Sequence, residues 1–267
     1  MPESSAGRLF ASPLARRLAR DAGLSLDALI GTGPAGRIVR HDVELAVGRR
    51  SPAPPTGPPA SGSQTIPHFY LRGSARVDRL LALRAELNAE SPVKISVNDL
   101  VVKAVAQAHQ LVPAVNVIWT DDSLLTRPDV DLSVAIATDT GLFTPVLRDV
   151  GRMSISAVAA ATRDLTARAR AGRLHQSELE GGTSTITNLG RYGTEDFTAI
   201  VNPPQSTVLA VGAARPEPVV GAEGALEVAT VLRVTLSVDH RPVDGATAAE
   251  WMRAFIGILE HPLRIVA

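Results

Sequence analysis

The hydrophobic pattern of the first fifty residues predicts a small helical module. Ser12 and Pro13 are typical of a helix start, because serine caps the first turn and proline needs no hydrogen bond there. A glycine-rich turn over residues 31–36 then leads to a second short helix, which begins near His41. We assign the module to residues 8–48, a size that is only marginally able to fold alone. Apolar residues recur in its first helix at helical spacing, namely Leu14, Leu18 and Ala22.

Residues 49–64 lack any hydrophobic periodicity and predict a linker. Ser51 to Ser63 reads SPAPPTGPPASGS, in which proline stiffens the chain while glycine and serine keep it solvated. Nothing in this stretch can contribute to a core. The linker therefore separates the small module from a second domain, which we assign to residues 65–267.

The second domain alternates helical and strand patterns, which predicts an α/β (α+β) fold with a mixed sheet. Helical spacing of apolar residues covers Val77–Leu87, Leu100–Leu111 and Ile155–Leu165, and a further helix opens at Asp244 and Gly245. Alternating patterns predict strands over Leu132–Ile136, Thr183–Thr187, Thr207–Val211 and Ala229–Val238.

The last strand carries the most informative pattern, because His240 continues its apolar face. Period-two geometry predicts that the imidazole points the way the buried side chains point. A histidine in that place is either a hydrogen-bonded core residue or a desolvated catalytic base, and the pattern alone favours the core residue. Asp244 follows four residues later, as a natural helix cap close enough to hold the local geometry. The apolar face comprises Leu232, Val234, Leu236 and Val238.

Composition narrows the chemistry. The chain is 45% hydrophobic and 20% charged with a formal net charge of +0, so bulk charge indicates neither a nucleic acid nor a membrane partner. There is no cysteine, which excludes disulfides, a thiol nucleophile and a Cys-ligated zinc site, and we predict no metal. Any reactive thiol must arrive on a substrate. No apolar run approaches the ~20 residues of a membrane span, and no secretory signal opens the chain. We expect a cytoplasmic location.

Arginines dominate the small module. Arg16 and Arg20 lie four residues apart and share one helical face, with Arg37 further along. Such a charge run is ordinarily a solvated face, and the sharper interpretations are an acidic protein partner or a nucleic acid. The second helix has no base-reading set of side chains, which favours the protein partner. Residues 31–36 match G-x-G-x-x-G, but a helix precedes them and Pro34 interrupts them, so we do not expect a nucleotide site there.

The small module resembles a known domain. ASPLARRLAR, followed by GTGPAGRIVRHDV, is similar to the peripheral subunit-binding domain of dihydrolipoamide acyltransferases. The resemblance implies a small all-helical domain. It also implies that Arg16, Arg20 and Arg37 grip acidic residues on a 2-oxo acid dehydrogenase or on dihydrolipoamide dehydrogenase.

The large domain resembles the catalytic domain of the same family, over Gln64 to Ala267. DHRPVDGATAAEW is similar to the family's H-R-x-x-D-G signature. The resemblance implies a chloramphenicol-acetyltransferase-like fold in which His240 is the base, Asp244 holds the turn and Thr187 donates to the oxyanion. It assigns no residue to coenzyme A. Supporting stretches occur in family order, namely IPHFYL, SVNDLVVKAV, VAIATDTGLFTPV, TSTITNLGRYG and FTAIVNPPQSTVLAVG.

The implied function is transfer of an acyl group, acetyl or branched-chain, between dihydrolipoamide and coenzyme A in a 2-oxo acid dehydrogenase complex. The active site is expected between subunits of a homotrimer that builds a larger symmetric core. A non-catalytic scaffold that docks the dehydrogenase components is the alternative, and a stand-alone acyltransferase with another acceptor is a third. Retention of His240, Asp244 and Thr187 favours the enzyme, and the small module argues against the third hypothesis.

The two lysines of the chain raise the question of the lipoyl group. A lipoylated lysine stands in a tight β-turn of a lipoyl domain, and neither Lys94 nor Lys103 lies in such a context. We therefore expect lipoate to be supplied in trans by a separate lipoyl protein, and turnover should then depend on the concentration of that protein. The alternatives are a different acyl thiol or a shortened form of the chain. The remaining histidines have no comparable context and are predicted to be non-catalytic; they are His41, His68, His109, His175 and His261.

Overall fold

The computed structural model describes residues 11–21, 25–26, 29, 31–34, 37–43, 66–120 and 123–266. The chain forms two compact units, which divide between Pro55 and Thr56. None of the helices in these ranges combines the length and the apolar character that crossing a membrane requires.

The first unit begins with helix α1, Pro13–Asp21. The Ser12 hydroxyl accepts from the Ala15 N–H at 3.2 Å, so the predicted helix start is confirmed. The buried Asp42 carboxylate accepts from the Thr32 hydroxyl and from the N–H groups of Thr32 and Val39. The Thr32 hydroxyl, followed by these N–H groups, holds the pKa of Asp42 below its usual value. The core of the unit is small and comprises Ala15, Ala19, Ile38 and Val43.

The second unit is built on a six-stranded mixed sheet. The strand formed by Ser184–Asn188 is parallel to both of its neighbours, and the other pairs of strands are antiparallel. The predicted mixed sheet is therefore confirmed. In spatial order the strands are β1 (His68–Arg76), β10 (Leu226–Asp239), β9 (Thr207–Val220), β8 (Ser184–Asn188), β4 (Leu132–Val134) and β7 (Val146–Leu147).

Two small hairpins accompany this sheet. One pairs β2 (Val117–Thr120) with β3 (Ser123–Thr126), and the other pairs β5 (Ile136–Thr138) with β6 (Gly141–Phe143). The prediction of one strand from Leu132 to Ile136 was therefore wrong. The chain leaves the main sheet at Ala135, whose N–H makes the last bond to Ile186, and Ile136 then pairs with Phe143.

Helices cover the sheet, and three of them begin at residues that are typical helix caps. Ser96 and Asp99 form a capping box at the start of α3 (Val97–Leu111), Ser154 caps α4 (Ile155–Arg170), and Asp244 caps α5 (Gly245–Glu260). Helix α3 is buried over most of its length and packs against α4 and α5. The core continues through Trp251 and Phe255 of α5, whose rings stack 5.2 Å apart. The helices are α2 (Asp78–Glu90), α3 (Val97–Leu111), α4 (Ile155–Arg170), α5 (Gly245–Glu260) and α6 (Leu263–Val266).

Candidate active site

His240 lies in the turn that follows β10, and its ring has a defined tautomer. The backbone N–H of His240 donates to the Pro67 carbonyl at 2.8 Å, and ring Nδ1 lies 3.1 Å from the Val243 carbonyl oxygen. Because a carbonyl oxygen can only accept, the neutral ring carries its proton on Nδ1 and a lone pair on Nε2. The edge-on ring of Phe69, 4.8 Å away, braces the imidazole. Nε2 is thereby prepared to accept a proton.

The expectation of an inward-facing imidazole was wrong for the single chain. β10 ends at Asp239, and His240 is exposed although every residue from Val234 to Asp239 is buried. The His240 N–H still bonds to Pro67 in register with the β1–β10 pairing, so the ring is exposed because no other part of the described chain covers this end of the sheet.

Asp244 stands at the N-terminus of α5, close to the imidazole. Its carboxylate accepts from the N–H of Thr247 at 2.8 Å and from the hydroxyl of Thr247 at 3.1 Å. These two bonds hold the pKa of Asp244 below its usual value, and His240 adds a smaller electrostatic contribution in the same direction. Asp244 is thus an ionised helix cap within electrostatic reach of His240.

Thr187 differs from the two threonines that share its strand face. The buried Thr183 hydroxyl donates to Asn116, and that of Thr185 donates to Gln205. The half-buried Thr187 hydroxyl makes no hydrogen bond to any residue in the described part of the chain, and it lines a cavity. Of the three, Thr187 alone has a hydroxyl available to a ligand.

The cavity beside Thr187 measures about 470 Å³. Its floor includes Asn188, whose amide donates to Asn98 at 3.1 Å and whose oxygen accepts from the Gly190 N–H. At Gly212 the chain passes so close to the Glu195 carbonyl that a Cβ would overlap it. Sequence analysis did not assign Asn98, since a polar residue in a first helical turn gives no distinguishing signal. Most of the wall is apolar and comprises Val97, Val134, Ile136, Leu142, Ile186 and Leu232.

Thr187 and His240 lie far apart within one chain. Thr187 pairs with Ala210 of β9, which pairs with Thr235 of β10. Two strand spacings and five residues along β10 put the two side chains roughly 19 Å from each other. A base and an oxyanion donor must both come within about 3 Å of the reacting atoms, so a single copy does not unite them.

The arginines of the first unit are accessible. Arg16, Arg20 and Arg37 are all exposed, and the first two share a face of α1. The Arg16 Nε donates to the Ala11 carbonyl at 3.3 Å. Their charge is therefore presented at the surface, as a docking role needs.

Neither lysine stands in a hairpin turn. Lys103 is 7% exposed within α3, and its Nζ donates to the carbonyls of Val150 and Gly151, while burial lowers its pKa. Lys94 is exposed in the segment between α2 and α3.

The fold of the second unit and the residues around His240 are those of an acyltransferase family. The family model described as 2-oxoacid dehydrogenases acyltransferase (catalytic domain) matches residues 60–267, and the e3 binding domain model matches residues 9–44. The chain belongs to the 2-oxoacid dehydrogenase acyltransferase family. The predicted family and fold class are confirmed.

Curated relatives agree with this membership. The dihydrolipoyllysine-residue acetyltransferase component of the mitochondrial pyruvate dehydrogenase complex of Dictyostelium discoideum is 40% identical over 98% of this chain and 47% of its own length. The corresponding component of Rhizobium meliloti is 40% identical over 96% of this chain and 68% of its own length. The chain thus spans about half to two thirds of the relatives it matches.

Two solved structures share the fold of the second unit. The dihydrolipoamide acetyltransferase of Azotobacter vinelandii, studied for a serine, a histidine and an asparagine in its mechanism, has a TM-score of 0.73 at 30% identity. It covers 76% of this chain and 86% of its own. A cubic core of a pyruvate dehydrogenase multienzyme complex has a TM-score of 0.72 at 31% identity, with the same coverages.

Proposed function

We propose that this chain transfers an acetyl group between a dihydrolipoyl group and coenzyme A as a component of a pyruvate dehydrogenase complex. The observation that carries the proposal is the 3.1 Å contact of His240 Nδ1 with the Val243 carbonyl, from which we assign the proton to Nδ1 and the lone pair to Nε2. The curated relatives that match nearly the whole chain are acetyltransferase components of that complex, which favours acetyl over branched-chain groups.

The chemistry proceeds without an acyl-enzyme. His240 Nε2 takes the proton of the coenzyme A thiol, and the thiolate attacks the carbonyl carbon of the acetyl-dihydrolipoyl thioester. The Thr187 hydroxyl donates to the oxyanion of the tetrahedral intermediate. The bond to the dihydrolipoyl sulfur then breaks, and the proton on Nε2 passes to that sulfur. Asp244, ionised at the helix start, stabilises the transient imidazolium.

The likeness to the Azotobacter vinelandii enzyme supports these assignments. Its histidine and asparagine stand four positions apart, as His240 and Asp244 do here. Its serine precedes the histidine at nearly the spacing that separates Thr187 from His240. Asp244 replaces an amide with a carboxylate, which adds a negative charge beside the imidazole.

We infer that two copies of the chain complete each site. His240 and Thr187 lie roughly 19 Å apart in one copy, so the base of one subunit must meet the hydroxyl of its neighbour. The same contact would cover the exposed imidazole of His240. A homotrimer within a larger symmetric core fits this requirement, and the cubic core among the structural neighbours supports it.

The first unit would dock a partner enzyme. Arg16, Arg20 and Arg37 suit an acidic surface on the 2-oxo acid dehydrogenase or on dihydrolipoamide dehydrogenase, since arginine pairs with carboxylates in bidentate fashion. The dihydrolipoyl group would come from a lysine outside this sequence, because Lys103 is buried and Lys94 is not in a turn of a hairpin. A cytoplasmic location stays a prediction, since the relatives include mitochondrial components.

A steady-state assay with acetyl-coenzyme A and free dihydrolipoamide tests the function. We expect the protein to catalyse formation of the dihydrolipoamide thioester. The kcat/KM for acetyl-coenzyme A should exceed those for isobutyryl-coenzyme A and succinyl-coenzyme A. Absence of transfer by the assembled protein with all three thioesters would support the scaffold hypothesis instead.

A further inference from the structure

The two residues that flank His240, Asp239 and Arg241, form an ion pair with each other. Asp239 is buried, with 2% of its side chain exposed, and its carboxylate accepts from three nitrogens of Arg241. These are the backbone N–H at 3.0 Å, Nε at 3.0 Å and Nη2 at 2.6 Å. A bidentate pair of guanidinium and carboxylate fixes the orientation of both side chains and also pairs their charges. The backbone on both sides of the imidazole is therefore held by one ion pair.

The ring of Trp119 contacts the guanidinium group of this ion pair. The guanidinium carbon of Arg241 lies 5.6 Å from the centroid of the Trp119 ring, within cation–π range. Trp119 is half-buried on β2, away from the cavity and outside the signature that contains His240. An arginine that has both a carboxylate and an aromatic face as partners has few alternative rotamers.

Trp119 is itself fixed to the segment that leads into β9. Its N–H donates to the Pro204 carbonyl at 3.0 Å. Two residues further on, the Ser206 carbonyl accepts the N–H of Asp239 at 2.8 Å, and the Ser206 hydroxyl donates to Val117 of β2 at 2.7 Å. Contacts thus form a closed circuit from Trp119 through Ser206 to Asp239 and back through Arg241.

We propose that Trp119 and Arg241 are positioning residues for His240. Arg241 holds Asp239 and thereby the turn, while Trp119 holds the Arg241 guanidinium from the β2–β3 hairpin. The direction of Nε2 depends on that turn, because His240 sits between the two members of the ion pair and its ring is tied to Val243 in the same turn. This inference rests on the proposed role of His240 as the base.

Trp119→Leu tests the proposal in the assembled protein, since it removes the aromatic face and keeps an apolar side chain. We expect kcat to fall about fivefold to tenfold, which is the scale of one lost cation–π contact. The KM for coenzyme A should stay unchanged, because the substrate contacts are not altered. Trp119→Phe restores a ring face and should recover most of kcat. Circular dichroism and light scattering should match those of the unmodified protein, which separates a loss of positioning from a loss of folded assembly.

Leu124→Ala is the matched control. Leu124 lies opposite Trp119 on β3, is 50% exposed and belongs to the same hairpin. Its kcat should equal that of the unmodified protein. Arg241→Lys is a second variant, which keeps the charge and loses the fork geometry, and it should lower kcat in the same way.

Unchanged kcat in both Trp119→Leu and Arg241→Lys would overturn the positioning role. An equal loss in Leu124→Ala and Trp119→Leu, or no rescue by Trp119→Phe, would overturn it too. These outcomes differ from a failure of the proposed function, in which His240→Ala is as active as the unmodified protein.

Discussion

The indole Nε1 of Trp251 lies 3.1 Å from Nδ1 of His109, and both residues are buried. The same Nδ1 lies 2.9 Å from the Val105 carbonyl, and Nε2 has no partner among the described residues. Burial lowers the pKa of His109 to about 4, against a small opposing effect of the Val105 carbonyl. His109 is therefore a neutral core residue and takes no part in the candidate site.

A pH dependence of stability follows. Between pH 6.5 and 4 the unfolded chain binds a proton at His109 and the folded chain does not, so the free energy of unfolding falls as the pH falls. The fall should reach about 3 kcal/mol, from 1.36 kcal/mol per pKa unit. Urea unfolding of the unmodified protein and of His109→Gln across this range measures it. The variant should lose this part of the pH dependence, and parallel curves would contradict the assignment.

His240→Ala should lower kcat about 10²–10⁴-fold, because a positioned general base contributes that much. The assembly should keep its size in light scattering, since the ring is exposed in the single chain and supports no core. His261→Ala, another exposed histidine, is the control and should retain full activity. Equal rates for His240→Ala and the control would refute the base.

Thr187→Ala should lower kcat about 10²–10³-fold through loss of the oxyanion donor. Thr187→Ser keeps the hydroxyl and should retain most of the activity. Thr166 lines the same cavity but donates to the Thr162 carbonyl, so Thr166→Ala serves as the matched control. A Thr187→Ala enzyme as fast as this control would exclude the hydroxyl from the reaction.

Mixed assemblies test the two-copy site. Joint refolding of His240→Ala and Thr187→Ala chains at equal amounts should restore about a quarter of the full rate, since about a quarter of the interfaces pair two intact residues. Each variant refolded alone is the control and should stay inactive. Failure of the mixture to exceed these controls would mean that both residues act within one chain.

Arg16→Ala combined with Arg20→Ala should weaken binding to the partner dehydrogenase and flatten its salt dependence. Titration calorimetry at several ionic strengths measures both effects. Arg17→Ala removes one charge from the same helix but from a different face, and its effect should be smaller. Equal losses in the two proteins would indicate a general attraction and no specific face.

Sequence patterns predicted the elements whose signals are local. The start of α1 at Pro13 follows from Ser12, and the cap of α5 follows from Asp244, because a side chain that bonds two or three residues ahead is visible in the sequence. Helix α4 ends just before Gly172, whose φ of 63° is one that glycine adopts readily.

Non-local features were not predictable in this way. β1 was not assigned as a strand, because its pairing with β10 joins residues about 160 positions apart and its outer positions are exposed. β9 extends to Val220, nine residues past the predicted end, since its outer half is held by pairing with β10 and by Arg233 binding Glu217. The exposure of His240 was not predictable either, because strand periodicity gives the direction of a side chain and does not show whether another element covers it.

Close packing of two backbone segments beside the cavity limits how the shape of this cavity could change. Gly190 and Gly212 pass so closely that a Cβ on Gly190 would lie 2.6 Å from the Gly212 carbonyl oxygen. A side chain at either glycine would push the two chain segments apart, so this part of the cavity wall tolerates little change in sequence. Room for a larger ligand would have to come from the aliphatic side chains that line the same cavity, such as Leu142 and Leu232.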